Sequence, residues 1–67
     1  MLAKEIDQYI EQTGLKRKKI AEDAGLTPQQ LSEICKGKRK INVVEYFNLC
    51  KALNVSVNYF MDKVIGR

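Results

Sequence analysis

The strongest constraint on the fold is the short gap between two helical segments in the first half of the chain. Apolar and small residues recur at helical spacing over residues 17–24, and Gly25 supplies the left-handed conformation that ends a helix there. The second segment, residues 28–36, starts only three or four residues later and closes at Gly37. Two helices joined this closely must cross and touch. The residues at the expected contact are apolar or small: Ile20, Ala21, Ala24, Leu26, Leu31 and Ile34.

The second of these helices has a well-defined start. Thr27 is an N-cap residue, and Pro28 occupies the first helical position, which suits its fixed φ. Gln30, three residues after the cap, completes a capping box. A turn of this length that contains glycine is typical of the helix-turn-helix motif.

Three further amphipathic helices are predicted over residues 2–13, 42–53 and 56–65. Asn42 with Glu45 forms a second, weaker capping box. The residues at helical spacing are Leu2, Ile6, Tyr9, Ile10 and Thr13 in helix 1 and Val57, Phe60, Met61, Val64 and Ile65 in helix 5. In helix 4 the stripe that we expect to face the core is Val43, Tyr46, Phe47, Cys50 and Leu53.

Two polar residues define the junction between helices 4 and 5. Asn54 is expected to cap the end of helix 4, and Ser56 to open helix 5. No β-hairpin pattern competes with the helical one. The chain is therefore predicted to fold as a single, compact, all-α domain of five helices over residues 1–67, with the helix-turn-helix at helices 2 and 3.

The composition argues against an enzyme, a metal site and a membrane protein. The chain has no histidine, the commonest general base, and no serine or cysteine with an evident activating partner. Cys35 and Cys50 are too few ligands for a zinc site and are predicted to be reduced, buried residues. We expect no catalytic residue, cofactor or small-molecule ligand. The N-terminus lacks a signal-like apolar run, and a cytoplasmic location is expected.

The positive charge is concentrated in one segment. Residues 16–40 hold eight of the twelve basic residues and three of the eight acidic ones, giving +5, whereas the rest of the chain sums to −1. A basic segment beside a neutral remainder is typical of a protein that approaches a polyanion from one side.

The chain resembles the phage-repressor family of helix-turn-helix domains, the lambda-repressor-like or Cro-like group of xenobiotic-response-element type, in GLKRKKIAEDAGLTPQQLSEICKGKRK and in LCKALNVSVNYF. The resemblance covers roughly residues 2–63. It implies a five-helix domain that binds an operator in double-stranded DNA, usually as a symmetric homodimer on an inverted repeat.

The resemblance also implies the roles of single residues. Arg17 and the residues from Lys36 to Lys40 would hold phosphates, and the exposed side of helix 3 would face bases. Lys18 is included as well, because cations at a helix N-terminus oppose the helix dipole and a phosphate bound there would remove that conflict. A neutral surface role is equally open for Lys18 and Lys19. The predicted phosphate-binding residues are Arg17, Lys18, Lys36, Lys38, Arg39 and Lys40, and the predicted base-reading residues are Gln29, Gln30 and Glu33.

Three positions on helix 3 depart from the family pattern or have a second interpretation. Pro28 replaces a common glutamine and cannot hydrogen-bond a base. The amide of Gln30 either reads a base or is committed to the Thr27 N–H group. Glu33 either accepts from a cytosine amine or pairs with Lys36.

A further departure joins helices 1 and 3. Ile10 and Cys35 stand where the family often has an arginine and glutamate pair, and here both charges are absent together. The joint replacement predicts an apolar contact between these two residues.

The last helix has more apolar residues than its share of a small core needs, so part of its stripe predicts a dimer interface. The predicted interface residues are Phe60, Met61, Val64 and Ile65.

Two classes of function remain open from the sequence. The first is a sequence-specific, double-stranded DNA-binding transcriptional regulator, a repressor that reads the major groove with helix 3. The second is an antitoxin or accessory protein-interaction module that keeps the fold and uses helix 5 to hold a partner. The basic segment favours the first. A nonspecific RNA binder is less favoured, because no aromatic residue falls on the basic face.

Overall fold

The computed structural model describes residues 2–65, which form five α-helices and no strand. The helices are α1 (Leu2–Thr13), α2 (Arg17–Asp23), α3 (Pro28–Cys35), α4 (Val43–Leu53) and α5 (Asn58–Val64). The all-α, five-helix prediction is confirmed, and each predicted boundary is correct to within two residues. None of these helices is long and apolar enough to cross a membrane. Met1, Gly66 and Arg67, which the predicted domain includes, lie outside the described residues.

Both predicted capping boxes are present. Thr27 Oγ1 accepts from the Gln30 backbone N–H at 3.0 Å, and the Thr27 N–H donates to Gln30 Oε1 at 2.9 Å. At the start of α4, Asn42 Oδ1 accepts from the Glu45 N–H at 2.8 Å, while the Asn42 N–H donates to Glu45 Oε1 at 3.2 Å. These bonds satisfy N–H groups that a helix leaves unpaired at its start, so α3 and α4 begin at fixed positions.

The tight turn between α2 and α3 depends on Gly25, whose φ is 73°. The Leu26 N–H donates to the Ala21 carbonyl at 2.8 Å and so closes the end of α2. Asn54 ends α4 in the same left-handed region, with a φ of 60°, as the sequence predicts. The two helix ends therefore reverse the chain within a few residues.

The start of α5 differs from the prediction. The helix begins at Asn58 rather than at Ser56, and Val57 occupies the N-cap position without a side-chain cap. The Tyr59 N–H donates to the Ser56 carbonyl at 3.1 Å, and the Tyr46 hydroxyl of α4 donates to the Val57 carbonyl. Ser56 and Val57 thus form a tight turn before α5. The Val57 carbonyl in this turn is bonded by Tyr46 of α4.

The core is formed by residues from all five helices. α1 packs on α3 and α5, and α2 packs on α3 and α4. The buried apolar residues are Ile6, Ile10, Ile20, Ala21, Ala24, Leu31, Ile34, Cys35, Leu49, Cys50, Leu53 and Phe60. The helix-turn-helix contact residues of the prediction are among them, except for Leu26, which is half-buried. Ile10 and Cys35 belong to the same core, whereas their direct contact stays a prediction.

The predicted inner face of α4 is wrong in its first half. Val43 is 83% exposed and Phe47 is 49% exposed, whereas Leu49, which the predicted stripe omits, is fully buried. Leu49, Cys50 and Leu53 form the face that meets the core. Phe47 lies two residues from Leu49, about 200° around the helix, so it cannot share that face.

Phe60 anchors α5 through an aromatic cluster. It is fully buried, and its ring lies edge-on to Tyr9, Tyr46 and Tyr59 with centroid distances of 5.7, 6.5 and 5.1 Å. Such edge-to-face pairs add to the free energy gained from burial alone. Phe60 therefore fixes α5 against α1 and α4.

Candidate nucleic-acid interface

The outer face of α3 carries the predicted base-reading residues. Because α3 packs on α1 and α2 through Leu31, Ile34 and Cys35, the opposite side of the helix is left accessible. Gln29 is exposed, and Glu33 is half-buried. In the described part of the chain Glu33 forms no ion pair with Lys36, so the pairing alternative is not observed.

Gln30 has a structural role at the start of α3. Its side-chain Oε1 accepts from the Thr27 N–H, which confirms the alternative in which the amide is committed to the cap. The oxygen is thereby occupied, and the amide N–H groups are left for any further partner. Gln29 has no such commitment and is the freer side chain on this face.

Arg17 lies between two carboxylates of α1. Its Nη1 is 2.9 Å from Asp7 Oδ1, and its Nη2 donates to Glu11 Oε2 at 3.2 Å. Nη1 also donates to Cys35 Sγ at 3.6 Å. Burial raises the pKa of the Cys35 thiol, although the Arg17 charge acts in the opposite direction. The sulfur is therefore a neutral thiol at pH 7 and accepts only weakly, so the carboxylates are the main partners of Arg17.

Arg39 is also ion-paired, with Glu45 of α4 through Nη2 and Oε2. The Glu45 side chain is only 14% exposed, and its other oxygen belongs to the capping box at Asn42. One carboxylate thus holds both the start of α4 and the basic loop before it, residues 36–40. Arg39 positions that loop.

The lysines of the predicted phosphate set are placed differently from the arginines. Lys18, Lys36, Lys38 and Lys40 are all exposed, and none of them is in an ion pair within residues 2–65. Lys19 pairs with Asp23 one turn further along α2, at 3.3 Å. Of the four unpaired lysines in the predicted phosphate set, three therefore follow α3.

A cleft of about 230 Å³ lies where α1, α2 and α3 meet. Its lining residues are Asp7, Arg17, Pro28, Leu31, Ser32, Cys35 and Lys36. Pro28, Ser32 and Lys36 are four residues apart along α3 and so lie on one side of that helix. The structure thereby brings Arg17 and Lys36, two of the predicted phosphate-binding residues, to the same cleft.

Sequence reasoning missed the acidic partners in this region. Asp7 and Glu11 lie four residues apart on α1, so the sequence indicates that they share one face of that helix. The spacing does not indicate which other helix lies against this face. Glu45 was predicted only as a capping residue. All three partners depend on how the helices and the basic loop pack, which the local sequence pattern does not specify.

A helix-turn-helix family model matches residues 6–60, which is most of the chain. The chain belongs to the Cro/C1-type, lambda-repressor-like helix-turn-helix family. No curated protein matches the chain. The family is one of DNA-binding regulators and not of enzymes, so this protein is a DNA-binding helix-turn-helix regulator.

The surface of α5 in this helix-turn-helix protein corrects one predicted interface residue. Phe60 is fully buried within its own subunit, so its side chain cannot lie on a dimer surface. Met61 is half-buried, Val64 is 40% exposed and Ile65 is 61% exposed. These three residues keep an apolar surface that a partner could cover.

A second apolar surface lies at the start of α4 in the helix-turn-helix domain. Val43, Val44 and Phe47 are exposed there, directly after the basic loop. Lys51 Nζ lies 5.7 Å from the centre of the Phe47 ring, a distance typical of a cation–π contact. Because the sequence pattern assigned Val43 and Phe47 to the core, this surface was not predicted.

Proposed function

We propose that the protein is a repressor that binds a specific operator in double-stranded DNA and reads the major groove with α3. The observation that carries this proposal is the accessible face of α3 beside the unpaired lysines. Gln29 is exposed on that face, and Lys36, Lys38 and Lys40 follow the helix without ion-pair partners in the described chain. Repression follows because a bound domain occludes its operator.

Base recognition depends first on Gln29. Its amide N–H group can donate to N7 of adenine while its amide oxygen accepts from the N6 amino group. This bidentate pair contributes about 1–3 kcal/mol of discrimination between bases. Glu33 contributes a preference for cytosine, because a carboxylate can only accept. Gln30 contributes through its amide N–H groups, since its oxygen is held by the cap.

Phosphate binding depends mainly on the exposed lysines. Lys18, Lys36, Lys38 and Lys40 need not break an ion pair to reach a phosphate, whereas Arg17 and Arg39 each have carboxylate partners. Arg39 serves the interface chiefly by holding the loop that presents Lys38 and Lys40. Arg17 can bind a phosphate only where the phosphate displaces its carboxylate partners.

The proposed assembly is a homodimer on an inverted repeat. Met61, Val64 and Ile65 supply the apolar surface for a two-fold contact through α5. A dimer would place two copies of α3 about 34 Å apart, which matches one turn of DNA.

Selection of bound sequences from a random duplex pool at physiological salt tests this proposal. The expected product is an inverted repeat. Gln29→Ala should relax the preference at one position in each half-site and leave nonspecific affinity nearly unchanged. Lys38→Ala, the matched control, should weaken binding to all sequences and lower the salt slope by about 0.9 per half-site. Equal, uniform losses for the two variants would mean that α3 does not read bases.

One observation favours a second function, that of an antitoxin or accessory module that binds a protein. Val43 and Val44 are 83% and 67% exposed, which is more than a DNA-binding role requires of apolar residues. Absence of any duplex enrichment in the selection would favour this function over the first.

A further inference from the structure

Arg17 has more negative charge around it than it can neutralise. Asp7 Oδ1 lies 2.9 Å from one terminal nitrogen and Glu11 Oε2 lies 3.2 Å from the other, so the three side chains together carry a net charge of −1. All three are partly exposed, at 44%, 77% and 40% for Asp7, Glu11 and Arg17. A basic residue of the proposed DNA surface is therefore the centre of an acidic cluster.

A phosphate that approaches Arg17 meets these carboxylates in two ways. Both Nη groups already face a carboxylate, so the phosphate competes for the same donors. The net negative charge of the cluster also repels it, although solvent screens the repulsion. Lys36 lines the same cleft without a carboxylate partner in the described chain, so within this cleft the obstacle applies to Arg17 and not to Lys36.

We propose that Asp7 and Glu11 attenuate DNA binding by competing with a backbone phosphate for Arg17. They are positioning residues that act through the guanidinium and set the affinity of the domain below what its cations would otherwise provide. The proposal rests on the proposed function, because it assigns a regulatory part to one side chain of the same surface.

A purely structural ion pair between α1 and α2 is the alternative explanation of these contacts. Pairs between partly exposed side chains contribute little to the stability of a fold. A structural role predicts that removal of the carboxylates lowers the unfolding midpoint and does not increase DNA affinity. Attenuation predicts a nearly unchanged unfolding midpoint and a higher affinity for DNA.

The test is the salt dependence of operator binding by the double variant Asp7→Asn, Glu11→Gln. Removal of two unit charges at roughly 8 Å from a phosphate should tighten binding about fivefold per half-site at low salt. Release of Arg17 for a phosphate should steepen the slope of log affinity against log salt by about 0.9 per half-site. The gain should therefore shrink about 3.5-fold per half-site as salt rises from 50 to 200 mM.

Two controls separate the effect on Arg17 from general electrostatics. Glu5→Gln removes one acidic charge from the same helix, but Glu5 is not a partner of Arg17, so the slope should stay at the wild-type value. In an Arg17→Ala background, the double variant should no longer steepen the slope. The single variants Asp7→Asn and Glu11→Gln give the same comparison if the double variant is unstable.

Suppose that the wild-type protein binds duplex DNA and that Lys38→Ala weakens this binding. Unchanged or weaker binding by the carboxylate variants would then overturn this proposal and leave the proposed function standing. An equal steepening of the salt slope with and without Arg17 would also overturn it. If the wild-type protein shows no lysine-dependent binding to duplex DNA, the proposed function fails, and this proposal fails with it.

Discussion

Cys35 and Cys50 are both buried thiols without a disulfide, as predicted, but their polar neighbours differ. Cys35 Sγ lies 3.6 Å from Nη1 of Arg17, whereas the polar neighbour of Cys50 is the Tyr46 side chain. Burial raises the pKa of both thiols, so each is protonated at pH 7. The two sites therefore differ in how well they could hold a negative charge.

A glutamate at each site measures that difference. Cys50→Glu should lower the free energy of unfolding by about 3–5 kcal/mol, because it buries a carboxylate without a cation. Cys35→Glu should cost about 1–2 kcal/mol less, since the new carboxylate would lie beside the Arg17 guanidinium, which it would share with Asp7 and Glu11. Urea unfolding at pH 7 gives both values. Addition of Arg17→Ala to Cys35→Glu should remove the difference, and equal costs for the two single variants would contradict the expectation.

At the scale of elements, the junction of α4 and α5 depends on Tyr46. Its hydroxyl donates to the Val57 carbonyl, in the turn that leads into α5. Burial raises the pKa of Tyr46 from 10.0 to about 12. The protonated hydroxyl is thus the form that the folded state prefers.

Tyr46→Phe tests this link between the two helices. Because the folded-state pKa is higher than the unfolded one, the contribution to stability is complete below pH 10 and is lost as the pH rises towards 12. The variant should be about 1 kcal/mol less stable at pH 7. Urea unfolding between pH 7 and pH 11.5 should show the two stability curves converging above pH 10 and then crossing. They cross because ionisation of the buried phenol costs the wild type more than the ~1 kcal/mol of the hydrogen bond, and parallel curves would contradict the prediction. Tyr59→Phe is the control, because it also removes a phenol hydroxyl but leaves the bond between the Tyr46 hydroxyl and the Val57 carbonyl in place.

The start of α4 shows how one element connects the fold to the candidate interface. Glu45 accepts from the Asn42 N–H through one oxygen and pairs with Arg39 through the other. The capping interaction that fixes the first turn of α4 therefore also fixes the basic loop. Lys38 and Lys40 lie on that loop and are presented from a defined position.

At the scale of the whole molecule, two apolar surfaces remain uncovered on the described chain. One lies on α5, at Val64 and Ile65, and the other lies on α4, at Val44 and Phe47. The proposed homodimer needs only one of them. The choice between the two surfaces determines how far apart the two copies of α3 lie.

Substitution of one exposed residue on each surface tests the choice. Ile65→Lys should shift the protein to the monomer in sedimentation, because it places a charge in the proposed α5 contact. Val44→Lys, the matched control on α4, should leave the dimer intact. Both positions are more than 60% exposed, at 61% and 67%, so neither change disturbs the core. Dissociation by Val44→Lys alone would move the interface to α4.

The sequence by itself determined the helices and the turns between them, apart from the turn that leads into α5. Thr27 with Gln30 and Asn42 with Glu45 bond across three residues, and Gly25 and Asn54 adopt left-handed conformations within single residues. These interactions are local, so a pattern of neighbouring residues is sufficient to predict them. The same locality explains why the contact between α2 and α3, across a short turn, was predicted correctly.

Only the tertiary structure decided which surfaces the helices share. α4 carries apolar residues around much of its circumference, so its own pattern could not select Leu49 over Phe47 for the core. The partners of Arg17 and Arg39 likewise depend on where α1 and α4 come to lie. Such contacts join residues that are distant in the chain or on separate elements, and their geometry is set by packing of the whole core rather than by the periodicity of any one segment.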